Sequence, residues 1–184
     1  MTRESAGTRV LRALDAAGVP HMLTGSLAAS FHGLVRATQD IDLVIDIDRD
    51  RLLEFIRRLG RDDFYYDEDV ALEALRTTGQ FNVIHRGSAW KVDLICKKSR
   101  PFSIVEFERR QQTEAWGGTA FVATVEDLIL AKLEWAKLGG SARQIEDASH
   151  LIEYNRDRLD RPYLEQWIDG LGIRAQWEAA QARA

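Results

Sequence analysis

Residues 24–45 read TGSLAASFHGLVRATQDIDLVI. A Gly-Ser pair, Gly25-Ser26, opens a helical pattern, SLAASFHGL, which Ser26 can cap through its hydroxyl. Thirteen residues separate Ser26 from Asp40, where the pattern changes to a period of two. In the run DIDLVIDI, Ile41, Leu43, Ile45 and Ile47 fall on one face of a strand, and Asp40 and Asp42 stand together on the other. Two neighbouring carboxylates repel each other. A strand that keeps both needs something positive between them, and a divalent metal is the usual compensation.

A second acid-bearing strand follows. QFNVIHR and AWKVDLICK flank a short Gly-Ser turn and read as a hairpin. In the second of these runs Trp90, Val92, Leu94 and Cys96 share one face, and Lys91 and Asp93 share the other. If the Asp93 strand neighbours the Asp40-Asp42 strand, three carboxylates converge on one spot. Such hard oxygen ligands select Mg²⁺ or Mn²⁺. His21, His32, His85 and His150 have no metal-ligand spacing and are expected to be structural or surface residues. Asp46, Asp48 and Asp50, where the next helix begins, are expected to cap it and to serve solubility. In this setting Gly25 lets the backbone approach a ligand closely. Ser26 contributes a hydroxyl and the first N–H groups of a helix, which favour phosphate.

The remaining pattern organises around these strands. An amphipathic helix with Val10, Leu11, Leu14 and Ala17 ends at Gly18, and a short strand HMLTG follows Pro20. RLLEFIRRLG and DEDVALEALRTTG are helical, and TEAW-GG-TAFVAT is a further short hairpin. From Val125 onward the chain is helical in four segments, VEDLILAKLEWAKLGG, ARQIEDASHLIEYN, RPYLEQWIDGL and RAQWEAAQARA. The expected fold class is therefore α+β, a mixed β-sheet flanked by helices in residues 1–124, followed by a C-terminal helical segment in 125–184 packed on that core.

Composition bounds the function. The chain has 184 residues, 45% hydrophobic and 29% charged, enough for a sizeable core. No apolar run is long enough to cross a membrane, the first residues lack the apolar region of a signal peptide, and the single cysteine, Cys96, excludes an intrachain disulfide. These features fit a cytoplasmic protein with no membrane partner. A net charge of −4 argues against bulk, sequence-blind nucleic-acid binding. The charge is unevenly spread. Residues 40–73 carry twelve acids against five Lys or Arg, a balance of −7, and residues 84–110 carry seven Lys or Arg against three acids, a balance of +4. The bland reading is two solvated faces. The sharper one is an acidic metal site beside a basic phosphate-binding wall.

Taken together, Gly25-Ser26, Asp40-Ile41-Asp42 and Asp93 resemble the motif of the nucleotidyltransferase superfamily, whose fold is shared with DNA polymerase beta. The string RATQDIDLV looks like the small bacterial minimal and AbiEii-type nucleotidyltransferases, which often carry Arg-x-Thr or Arg-x-Ser before the acids, here Arg36 and Thr38. VEDLILAKLEWAK followed by RQIEDASHLI resembles the family's helical segment. There a Lys on one helix and an Asp on the next face the nucleotide, here Lys132 and Asp147, with Arg143 a further nucleotide-binding candidate. The resemblance covers roughly residues 20–155, and PYLEQWIDGLG is similar to a helix of small bacterial members.

That resemblance implies transfer of an NMP from an NTP to a hydroxyl, with pyrophosphate leaving. Asp40, Asp42 and Asp93 would bind two metal ions, with Asp93 also serving as base. Gly25, Ser26 and Lys132 would hold the phosphates. The acceptor is open between an RNA 3′ end, a protein hydroxyl and a small molecule such as an aminoglycoside, and a homodimer or partner protein is open as well. The alternative is a non-catalytic nucleotide-binding or toxin–antitoxin-type partner protein that retains the fold. In the helical segment, Gly139-Gly140 ends one helix and Ser141 can begin the next. Leu128, Ile129, Leu133 and Leu138 are expected to face Ile145, Ala148, Leu151 and Ile152, leaving Lys132 exposed at a cleft rim. There its loss would change stability by about 0.5 kcal/mol or less.

Overall fold

The computed structural model describes residues 5–116 and 118–184. Its elements in chain order are α1 (Ala6–Ala16), β1 (His21–Thr24), α2 (Gly25–Phe31), β2 (Asp40–Ile45), α3 (Arg49–Leu59), β3 (Phe64–Tyr65), α4 (Glu68–Thr77), β4 (Gln80–His85), β5 (Lys91–Cys96), α5 (Pro101–Glu108), β6 (Gln111–Ala115), β7 (Gly118–Val122), α6 (Val125–Gly139), α7 (Ala142–Asn155), α8 (Arg161–Leu171) and α9 (Arg174–Gln181). The architecture is α+β with a mixed sheet, as the sequence leads one to expect. The elements form two compact units, one from residues 5–24 and 38–122, the other from 25–37 and 123–184.

The first unit holds a seven-stranded sheet in the order β3-β4-β5-β2-β1-β7-β6. β2 lies between β1, antiparallel to it, and β5, parallel to it. The parallel pairing runs in register from Asp40 opposite Lys91 to Ile45 opposite Cys96. The period-two alternation explains this register. Ile41, Leu43 and Ile45 meet Val92, Leu94 and Cys96 across the pairing, and all six are buried. A slip by one residue would turn the apolar set outward and the acids inward. Helices α1, α3 and α4 pack side by side, with Val10, Leu14, Leu52, Phe55 and Ala71 buried. Burial also raises the Cys96 thiol to about 11, so this residue packs and does not react at neutral pH.

β2 is shorter than the run DIDLVIDI suggests. It ends at Ile45, so Ile47 lies beyond the strand. The acids that follow have local work. Asp48 caps α3, its carboxylate accepting from Arg51 N at 2.9 Å, and Asp50 lies in that helix's first turn. Asp46 pairs with Lys97. The sequence pattern also passes over α5, where Pro101 occupies the first turn, and the two-residue strand β3.

The second unit is helical. α6 packs on α7, α8 and α9, and α2 packs on α6. Segment 25–37 belongs to this unit through several contacts. His32 Nε2 lies 2.8 Å from Ala123 O, and Asn155 Nδ2 donates to His32 O at 3.0 Å. Leu128, Ile129, Leu133, Ala148, Leu151 and Ile152 are buried as expected. Leu138 is not: it is 71% exposed. It stands near the end of α6, one residue before Gly139. Gly140 follows in the left-handed region at φ 62° and ends the helix.

Candidate active site

The first unit brings the three predicted acids onto one face of adjacent strands. Asp40 and Asp42 are two residues apart on β2, and Asp42 is in register with Asp93 on β5. The same row continues outward on both sides, with Thr24 of β1 opposite Asp42 and Asn82 of β4 opposite Asp93. Four polar residues thus cross four strands in one line, on the side away from Ile41 and Leu43. Thr38 braces the entry to this row. Its hydroxyl accepts from Asp40 N at 3.1 Å and lies 3.3 Å from Asp40 O, fixing the backbone where β2 begins.

The row holds a cation of its own. Lys91 Nζ lies 2.8 Å from Asp93 Oδ2 and 3.6 Å from Asp40 Oδ1. The hydrogen bond to Asp93, with the charges of both carboxylates, raises the Lys91 ammonium above the usual lysine range and keeps it charged. The sequence placed Lys91 on the Asp93 face, but its place between two acids of different strands depends on the register of β2 against β5. Donor chemistry in this row suits a hard divalent cation: carboxylates, a threonine and an asparagine side chain, and no thiol or imidazole. As the side chains stand, however, no three Asp, Glu, His or Cys among the described residues are gathered to grip a metal ion.

The remaining candidates lie in the second unit, on or beside α2, α6 and α7. Gly25 adopts φ 67°, a left-handed conformation that favours glycine, as the chain turns from β1 into α2. That helix starts at Gly25, so Ser26 sits in its first turn and not at the cap, and α2 stops at Phe31, short of Gly33 at φ 95°. Ser26 Oγ instead accepts from Arg36 Nη2 at 3.1 Å. Arg36 Nη1 donates to both carboxylate oxygens of Asp147 at 3.3 Å. Lys132 Nζ donates to Asp147 Oδ2 at 2.7 Å and to Gln144 Oε1 at 3.4 Å.

This network corrects one expectation. Lys132 is 5% exposed and Asp147 6%, so the lysine is no rim residue in solvent. One helical turn on either side of Lys132 lie Leu128, Ile129 and Ala136, all buried, and the lysine shares their side of α6. Two cations, Lys132 and Arg36, converge on one carboxylate, Asp147, which leaves the cluster with an excess of one positive charge. Beside it opens a pocket of ≈ 540 Å³ lined by Arg36, Arg143, Glu146, Asp147, His150 and Tyr154, among others. Arg143, a nucleotide-binding candidate by resemblance, is among the residues that line this pocket. Of the other lining residues Glu146 and Tyr154 were not foreseen, because their place on α7 reads as an ordinary solvated face.

No protein-family model matches the chain, and no curated protein matches it in sequence. Solved structures do share its fold. An antigenic nucleotidyltransferase-like protein from Paracoccidioides brasiliensis superposes over 96% of this chain and 92% of its own, with a TM-score of 0.57 at 16% identity. The structure of ANT(2″)-Ia in complex with adenylyl-2″-tobramycin superposes over 91% of this chain and 95% of its own, with a TM-score of 0.57 at 15% identity. The chain has the nucleotidyltransferase fold. No helix among the described residues is long and apolar enough to cross a membrane.

Proposed function

We propose that the protein is a metal-dependent nucleotidyltransferase, moving an NMP from an NTP to a hydroxyl acceptor. The observation that carries this reading is the alignment of Asp40, Asp42 and Asp93 on one face of the parallel pair β2–β5, in a nucleotidyltransferase fold. Asp40, Asp42 and Asp93 would hold Mg²⁺ or Mn²⁺, which when bound neutralises charge that develops on the phosphates. Asp93 accepts the proton of the acceptor hydroxyl as its oxygen attacks the α-phosphorus. A new P–O bond forms, the bond from the α-phosphorus to the bridging oxygen breaks, and pyrophosphate carries that electron pair away.

Gly25 and Ser26, in the helical unit, would offer backbone N–H groups and a hydroxyl to phosphate. The excess positive charge around Lys132, Arg36 and Asp147 favours an anionic ligand, and the same pocket adds the Arg143 guanidinium and the Glu146 carboxylate, which offset each other. Thr38 acts through the backbone of Asp40. Three acceptor classes suit this chemistry: an RNA 3′ end, a protein hydroxyl, and a small molecule. The adenylyl-2″-tobramycin bound to ANT(2″)-Ia gives the small-molecule class one example within the fold.

One observation favours a second reading. Lys91 holds Asp40 and Asp93, and the acids are not gathered for a metal. That arrangement also suits a non-catalytic nucleotide-binding protein, including the partner of a toxin–antitoxin pair. The experiment that separates the two incubates the protein with each α-labelled NTP, Mg²⁺ and a panel of RNA, protein and aminoglycoside acceptors. Label transfer with matching pyrophosphate release, abolished in Asp42→Asn, supports the enzyme. Saturable NTP binding without pyrophosphate release from any NTP would sink it and leave the binding protein.

A further inference from the structure

The acidic row contains a charge that the transfer reaction does not require. Three carboxylates and the Lys91 ammonium share one face of β2 and β5, for a net charge of −2. The ammonium does not extend along the strand into solvent. It spans two strands, 2.8 Å from Asp93 Oδ2 and 3.6 Å from Asp40 Oδ1, and is 39% exposed, while Asp93 beside it is only 14% exposed. A hard cation seeking these oxygens meets an ammonium already there. The donors are of the right kind, yet no three of them are gathered, and Asp40 and Asp93 both reach a side chain on their own sheet.

Resting on the nucleotidyltransferase reading, we propose that Lys91 is a resident counter-ion of the carboxylate row, one that a divalent metal must displace before it is gripped. The physical basis is electrostatic. Without a cation, Asp42 and Asp93 repel each other across about 5 Å of sheet and Asp40 adds its charge about 7 Å along the strand, and a lysine beside Asp40 and Asp93 relieves part of that repulsion. When a metal arrives, its own charge and the ammonium cannot occupy the same oxygens, since like charges at contact distance oppose each other strongly. Lys91 has the means to leave: a flexible four-carbon stem and an exposed route out. In the metal-free protein Lys91 thereby pairs with Asp40 and Asp93, and metal affinity is set below what three unopposed carboxylates would give.

The test uses the full-length protein and Mn²⁺ alone, measured by calorimetry and by the Mn²⁺-induced shift in melting temperature. Lys91→Met keeps the length and removes the charge. We expect it to melt lower than wild type without metal, to bind Mn²⁺ about tenfold tighter, and to gain more in melting temperature when Mn²⁺ is added. Lys91→Arg keeps the charge and should stay within about twofold of wild-type affinity. Should Lys91→Met fail to fold, Lys91→Gln carries the same expectation. Mn²⁺ affinity in a folded, uncharged variant that equals or falls below that of wild type overturns the counter-ion role and leaves the enzyme reading intact. No saturable Mn²⁺ binding in wild type or in any variant overturns both, and is recognised by the silence of the wild type itself.

Discussion

Lys132 and Arg36 are two cations that meet a single carboxylate, Asp147, in the helical unit. In the sequence alone Lys132 is an exposed helix lysine at a cleft rim, and its loss should change stability by about 0.5 kcal/mol or less. In the fold it is buried against Asp147, which Arg36 also holds. Removing one partner of a buried ion pair strands the other, and here Arg36 softens the loss by remaining on Asp147. Lys132→Met should therefore destabilise the protein by about 1–3 kcal/mol in urea unfolding. A change under about 0.5 kcal/mol would mean that the pair contributes nothing and that the surface reading was right. His32 offers a second measurement. Desolvation lowers its pKa below the ordinary 6.5, against the raising effect of its hydrogen bond to Ala123 O, while Arg158 lowers it further. A histidine held neutral in the fold binds fewer protons than it does unfolded. Its contribution is thus present above pH 6.5 and is lost as pH falls below 6.5 toward the lowered value. Unfolding free energies of wild type and His32→Asn measured at pH 7.5 and 5.5 should show a steeper loss on acidification in the wild type, and parallel losses would rule this out.

At the scale of elements, the strongest periodicities were legible. β2, the β4–β5 hairpin, the β6–β7 hairpin and the four C-terminal helices all follow from alternation, from helical stripes and from glycine stops. What was not legible has physical causes. α5 carries apolar and charged residues on all sides of a short helix, so no stripe announces it, and β3 is only two residues long. The acids on β2 and β5 could be placed on a face, because the period of two is local. Lys91 between Asp40 and Asp93 could not, because that contact depends on which strands pair and in what register. Likewise the burial of Lys132 depends on where Arg36 and Asp147 arrive from distant parts of the chain. The junction of α6 and α7 yields a clean test. Gly140 sits at φ 62° with nothing within 4 Å of where a Cβ would be, so Gly140→Ala adds backbone strain and no clash. It should cost about 1 kcal/mol in thermal or urea unfolding. A neutral result would show that this helix end relaxes into another stop.

The whole molecule is divided in a way that the order of its sequence conceals. The helical unit takes in 25–37 as well as 123–184. A fragment ending at residue 124 therefore deprives α2 and its neighbours of Asn155, Asp147, Tyr154 and the α6 surface. We expect such a fragment to bind the dye ANS and to melt without the cooperativity of the full chain. A sharp melt and no dye binding would mean that residues 1–124 stand as a domain of their own. The same division has a consequence for how the protein is made. The hydrogen bonds that fix 25–37 reach across 91, 111 and 123 positions of sequence. At a synthesis rate of about 5–20 residues per second, that segment is made roughly 5–25 s before its partners exist. For that interval the nascent chain carries a Ser26–Arg36 stretch without its helical partners, an opening for chaperones that closes only as α7 emerges.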